Sequence, residues 1–188
     1  YNFLKIETSL NKRRTDEATK SGLPAIQTSY FGEPLIRRDL HKPIACAGKK
    51  GIMDVFITTN GSLLSKTRAQ ELIDAGVSRI HISIDAYSER SYDKIRRKGY
   101  FKRVLNNTHS LIRMKGAGKL PIVRVSFCKN SINEHETDSF INYWREHGAD
   151  QVAIQEYLNE EPARAYLFPE KRRIVDDFVC LDPFRRLS

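Results

Sequence analysis

The chain has 188 residues, 40% of them hydrophobic, with three cysteines and a net charge of +9. That length and apolar share fit one globular domain with a sizeable core. Cys46, Cys128 and Cys180 are too few and too far apart for a disulfide framework or a closely spaced metal-ligand set, and no apolar run approaches the roughly 18 residues of a membrane helix. The mixed, charged N-terminus is not a signal peptide, so a cytoplasmic protein with no membrane partner is the expectation. The basic runs Lys12-Arg13-Arg14, Arg96-Arg97-Lys98 and Lys171-Arg172-Arg173 are scattered. None is interleaved with the aromatics of a base-stacking platform, so they read as solvated helix faces and nucleic acid is not an expected partner.

In chain order, a helix over roughly Asn2 to Lys20 ends at Gly22 and leads into a strand at Pro24 to Thr28. A shorter helix near Ile44 to Lys49 ends at Gly51, and a strand follows at Val55 to Thr59. Ser65 caps a helix from Lys66 to Ala75, Gly76 ends it, and the next strand is Arg79 to Asp85. Phe101, Val104, Leu105, Leu111 and Ile112 show helical spacing up to Gly116-Ala117-Gly118, before a strand from Ile122. Phe140, Ile141 and Trp144 mark a last helix, closed by Gly148 and followed by a strand at Val152. Five strands alternating with helices predict a parallel α/β sheet with right-handed crossovers. The rhythm ends after Tyr157, and residues 159–188 read as a charged linker.

The third strand has two different faces. Ile80, Ile82 and Ile84 point one way; His81, Ser83 and Asp85 point the other. The fourth repeats this, with Val123, Val125 and Phe127 against Arg124, Ser126 and Cys128. In the fifth, Val152 and Ile154 oppose Gln151 and Gln155. One face of the sheet is therefore apolar, and the other lines solvent or a ligand cavity. Ligands of parallel α/β sheets bind at the carboxyl ends of the strands. Those ends carry Gly32-Glu33-Pro34, Thr58-Thr59-Asn60-Gly61, Ser83-Ile84-Asp85, Cys128-Lys129-Asn130 and Gln155-Glu156-Tyr157.

Taken in order over residues 21–157, Gly-Glu-Pro, Thr-Thr-Asn-Gly-Ser-Leu-Leu and Ile-Asp-Ala-Gly-Val-Ser-Arg-Ile-His-Ile-Ser-Ile-Asp-Ala resemble the radical S-adenosylmethionine (radical SAM) enzymes. The resemblance implies a partial (β/α)6 barrel, TIM-like, lacking its first strand in this chain. It also implies SAM and a 4Fe-4S cluster as cofactors, a reducing electron donor, and a small-molecule or peptide substrate. On this resemblance Gly32, Glu33 and Pro34 hold the SAM amino group, a carboxylate being a fitting partner for an ammonium. Ser83 and Asp85 meet the ribose and carboxylate, Arg96 meets the SAM carboxylate, and Asn60 shapes the strand end. The implied reaction is reductive cleavage of SAM to a 5′-deoxyadenosyl radical that abstracts hydrogen from a peptide, sugar or protein.

The family's Cys-x-x-x-Cys-x-x-Cys loop is absent, so the cluster ligands are not in this chain, whether they lie upstream or have been lost, and the fragment alone is not expected to cleave SAM. Tyr30 stands where the family commonly carries a small residue. The stretch Phe178 to Leu187 resembles the entry into a SPASM-type extension, where Cys180 would begin an auxiliary cluster's ligand set. The expected division is a core at residues 1–158, with a linker and extension start at 159–188. The alternative from a different class is a non-catalytic, degenerate α/β domain that binds a nucleoside or another anionic partner.

Overall fold

The computed structural model describes residues 8–28, 32–96 and 100–156. The elements run α1 (Thr8–Lys20), β1 (Ala25–Gln27), a short 3-10 helix (Pro34–Ile36), α2 (His41–Lys49), β2 (Asp54–Thr59), α3 (Lys66–Asp74) and β3 (Arg79–Ser83). They continue with α4 (Glu89–Ile95), α5 (Phe101–Lys115), β4 (Ile122–Lys129), a second 3-10 turn (Glu134–Glu136), α6 (Thr137–Glu146) and β5 (Gln151–Glu156). The strands form one parallel sheet in the order β1-β2-β3-β4-β5. This is the expected α/β architecture, a partial barrel with helices outside the strand wall.

The period-2 reading holds for β2, β3 and most of β4 but not for β5, where Val152, Ala153 and Ile154 are all buried. Buried residues alternate with half-buried ones along β2, β3 and most of β4. Ile57, Ile80, Ile82, Val123, Val125 and Phe127 are wholly buried on the helix side. The helices answer with stripes at helical spacing: Ile44 and Ala47 on α2, Ala69 and Leu72 on α3, Val104 and Leu111 on α5, Phe140 and Trp144 on α6. Phe140 closes the layer over β4, its ring 4.8 Å from that of Phe127. Burying each such side chain contributes roughly 1.5–3 kcal/mol, so this apolar interface dominates the stability of the strand wall.

Local signals set the ends. The Ser65 hydroxyl accepts from the Arg68 N–H, as expected of its capping position. Gly76 takes φ +79°, and the Val77 N–H reaches back to the Leu72 carbonyl at 3.1 Å, satisfying a carbonyl that the helix end would orphan. Two elements differ from the sequence reading. Strand β3 stops at Ser83 rather than Asp85, because Asp85 adopts φ +61° and leaves the extended conformation. Helix α4 was not anticipated; with 7 residues it is too short to show apolar periodicity. No described helix is long and apolar enough to cross a membrane.

Candidate functional site

The polar face of the sheet is built in rows by the parallel register. Thr58, His81, Arg124 and Gln151 sit side by side across β2 to β5. One row nearer the carboxyl ends lie Ser83, Ser126 and Ala153. The Ser126 and Ser83 hydroxyls lie 3.4 Å apart, so each keeps hydrogen-bonding capacity for a ligand. One row nearer the amino ends, Arg79 pairs with Asp54 and stacks over Phe56, its guanidinium carbon 4.4 Å from the ring centre.

Two basic groups in the middle row have no ion-pair or hydrogen-bond partner among the described residues. Arg124 is half-buried, and among the described residues it has no hydrogen bond or ion pair. Beside it, the buried Nε2 of His81 has no hydrogen-bond partner among the described residues. Burial, with help from the Arg124 and Arg79 charges, pushes the His81 pKa from 6.5 down to about 4. His81 is therefore neutral at physiological pH, and Arg124 carries the row's charge.

The carboxyl ends of the strands are tied into a network. Glu33 accepts from the Leu35 N–H at 3.1 Å, the Thr59 hydroxyl at 2.6 Å and the Asn60 N–H at 2.8 Å. Its carboxylate thus fastens the Gly32-Glu33-Pro34 turn to the end of β2. Asn60 accepts from the Ser62 N–H and hydroxyl, an Asx-type turn at the end of β2. Asp85 is 8% exposed and accepts from the Cys128 N–H at 2.8 Å and from Arg96 Nη2 at 2.5 Å. The same Nη2 reaches the Ser83 carbonyl at 3.3 Å. Arg96 Nε and Nη1 have no hydrogen bond among the described residues, so each keeps a donor for a ligand oxygen.

Of the residues singled out in the sequence, Ser83, Asp85 and Arg96 meet at one place. Gly32, Glu33, Pro34 and Asn60 meet at the neighbouring β1–β2 end. Cys180, Tyr30 and the 158/159 boundary lie outside the described residues. Two site-supporting residues were missed. Asn133 is wholly buried, and its Nδ2 donates to the Asp85 and Cys128 carbonyls. Glu136 is 6% exposed and accepts from Tyr87 N–H, Ser88 N–H and hydroxyl, and the Ser91 hydroxyl. Burial raises the Glu136 pKa, but these donors outweigh it and the net shift is downward. The one available hint was the turn-forming Asn130-Ser131-Ile132-Asn133.

The radical SAM superfamily model matches residues 11–142, most of the chain. The chain belongs to the radical SAM superfamily. A probable GTP 3′,8-cyclase of Methanocaldococcus jannaschii is 32% identical over 151 residues, covering 80% of this chain and 49% of that protein. A probable GTP 3′,8-cyclase of Saccharolobus solfataricus is 34% identical over 139 residues, covering 74% and 43%. The chain thus spans about half the length of the curated relatives it matches. In fold it is similar to the crystal structure of methylornithine synthase (PylB), with a TM-score of 0.64 at 14% identity over 82% of this chain and 45% of that one. Radical SAM enzymes use SAM and a 4Fe-4S cluster. The lumen hydroxyls and the Nε and Nη1 donors of Arg96 suit the first. Among the described residues no group of three His, Cys, Asp or Glu could hold a metal ion, so they form no ligand set for the second. The family match ends before residues 159–188 and bears on neither Cys180 nor a SPASM-type extension.

Proposed function

We propose that this chain is the SAM-binding core of a radical SAM enzyme acting on an anionic small molecule held in the polar lumen. The observation that carries the reading is the convergence of the Ser83–Ser126 hydroxyl pair and the Asp85–Arg96 ion pair at the carboxyl ends of β3 and β4. In this reading Ser83 and Ser126 face the SAM ribose, and the Nε and Nη1 donors of Arg96 meet the SAM carboxylate. Asp85 orients Arg96 through Oδ2, while its Oδ1 is taken by the Cys128 N–H. The Gly32-Glu33-Pro34 turn takes the amino group, with Glu33 fixing the turn and backbone carbonyls completing the contact. Bound at its cluster, SAM supplies a 5′-deoxyadenosyl radical for hydrogen abstraction; the chain's own residues bind, orient and exclude water.

Arg124 supports an anionic substrate. A half-buried guanidinium with no carboxylate partner among the described residues is costly unless a further group completes it. A purine nucleotide such as GTP is the first candidate, because the relatives carry GTP in their names. Family membership favours catalysis over the binding-only alternative. A reducing electron donor, a cytoplasmic setting, and an auxiliary cluster that begins at Cys180 within 159–188 belong to the same proposal.

Calorimetric titration of SAM into the full-length protein with its cluster assembled tests the reading. Ser83→Ala should weaken SAM binding about tenfold, the loss of one or two ligand hydrogen bonds. The exposed Lys66→Ala should leave it unchanged. Equal affinities for wild type and Ser83→Ala would remove the β3 end from the site.

A further inference from the structure

The buried pair Asn133 and Glu136 lies beyond the lumen, on the turn between β4 and α6. Asn133 Nδ2 donates to the Asp85 carbonyl at 2.9 Å and the Cys128 carbonyl at 2.8 Å, while its Oδ1 accepts from the Asn130 N–H at 2.7 Å. Every hydrogen bond that Glu136 accepts comes from residues 87–91. Tyr87 N–H lies at 2.9 Å, Ser88 N–H at 3.3 Å and the Ser91 hydroxyl at 2.8 Å, and the Ser88 hydroxyl is bonded too. These partners lie 45 or more residues away in the chain.

We propose that Asn133 and Glu136 form a positioning clamp that holds Asp85 and Arg96 in register for SAM. The clamp rests on the reading of Ser83, Asp85 and Arg96 as the SAM-facing group. Asn133 grips the one non-glycine described residue with positive φ, at a conformation that L-residues leave readily unless held. Glu136 fixes the first turn of α4, and the far end of that helix delivers Arg96 to Asp85. Tyr92 anchors the outer side of α4, its ring 5.3 Å from Phe101. The ion pair is thus set at one end by β3 and at the other by a helix whose start depends on Glu136. Side-chain hydrogen bonds from Asn133 and Glu136 reach only backbone groups and serine hydroxyls, so the pair acts through Asp85 and Arg96 and is not catalytic.

The test uses the full-length protein with its cluster assembled and reads SAM affinity by calorimetry, with hydrogen–deuterium exchange across residues 85–96. Glu136→Ala should weaken SAM binding about tenfold and raise exchange in that segment. Leu72→Ala, a core truncation on the distant α3, serves as a control of comparable destabilisation; it should leave affinity within about twofold. Glu136→Gln keeps one acceptor oxygen for the Tyr87 and Ser88 N–H groups and should fall between, about three- to fivefold weaker. The clamp is overturned if Glu136→Ala binds like wild type, or if Leu72→Ala weakens binding equally. Should the alanine variant not fold, a glutamine variant with wild-type affinity overturns it. A wild-type protein that binds no SAM overturns the functional reading itself and the clamp with it.

Discussion

Asp85 is the residue on which the carboxyl ends of β3 and β4 depend most, and its replacement by alanine has a calculable effect. Arg96 loses a charge-assisted hydrogen bond, worth about 1.5–3 kcal/mol, and the Cys128 N–H loses its acceptor, worth about 1–3 kcal/mol. Alanine must also hold φ near +61°, which costs about 1–2 kcal/mol. The Arg96 side chain keeps 31% exposure, so water recovers part of the first loss. The net destabilisation is about 3–5 kcal/mol, in the range for removing one partner of a buried pair. At about 2–4 °C per kcal/mol for a domain of this size, Tm falls by roughly 6–20 °C. Asp85→Asn keeps the acceptor for Cys128 and tolerates the left-handed backbone, so it should lose only about 1–2 kcal/mol. Urea denaturation followed by circular dichroism measures both. An alanine variant within about 1 kcal/mol of wild type, or an asparagine variant as weak as alanine, would refute the assigned roles.

Gly61→Ala should destabilise by about 2 kcal/mol or more, since φ is +76° and the new Cβ would meet Ile82 Cγ2 at 3.0 Å; an unchanged urea midpoint would show that the turn relaxes freely. Because the His81 pKa drops from 6.5 to about 4 on folding, the unfolded chain binds the extra proton first as pH falls. Stability should decline between pH 6.5 and 4, and His81→Asn should flatten that slope; parallel wild-type and variant profiles would contradict the burial argument. With GTP as the probe substrate, Arg124→Gln should raise KM by about tenfold while substrate-free 5′-deoxyadenosine formation is unchanged. An unaltered KM would remove Arg124 from substrate binding.

The strand wall was legible because the central strands carry their two environments in alternation: Ile80 and Ile82 are buried, while His81 and Ser83 are half-buried. Glycines at helix ends supplied the boundaries. Period-2 reasoning carried β3 two residues too far, since nothing local announces that Asp85 turns left-handed. That conformation is enforced by Asn133, 48 positions away. Helix α4 escaped because its stability comes from the Ser88 cap, Glu136 and Tyr92 rather than an amphipathic stripe. The hydrogen-bond partners of the two carboxylates were not visible in the sequence. Glu33 and Asp85 turn inward to N–H, hydroxyl and guanidinium donors, which spacing along the chain does not encode.

The most direct test is release of 5′-deoxyadenosine from SAM by the full-length protein, cluster assembled, under anaerobic reducing conditions. The SAM-binding core described above predicts product at or above one equivalent per protein, and a marked loss in Asp85→Ala that Asp85→Asn largely restores. No product above a preparation lacking the cluster would contradict it.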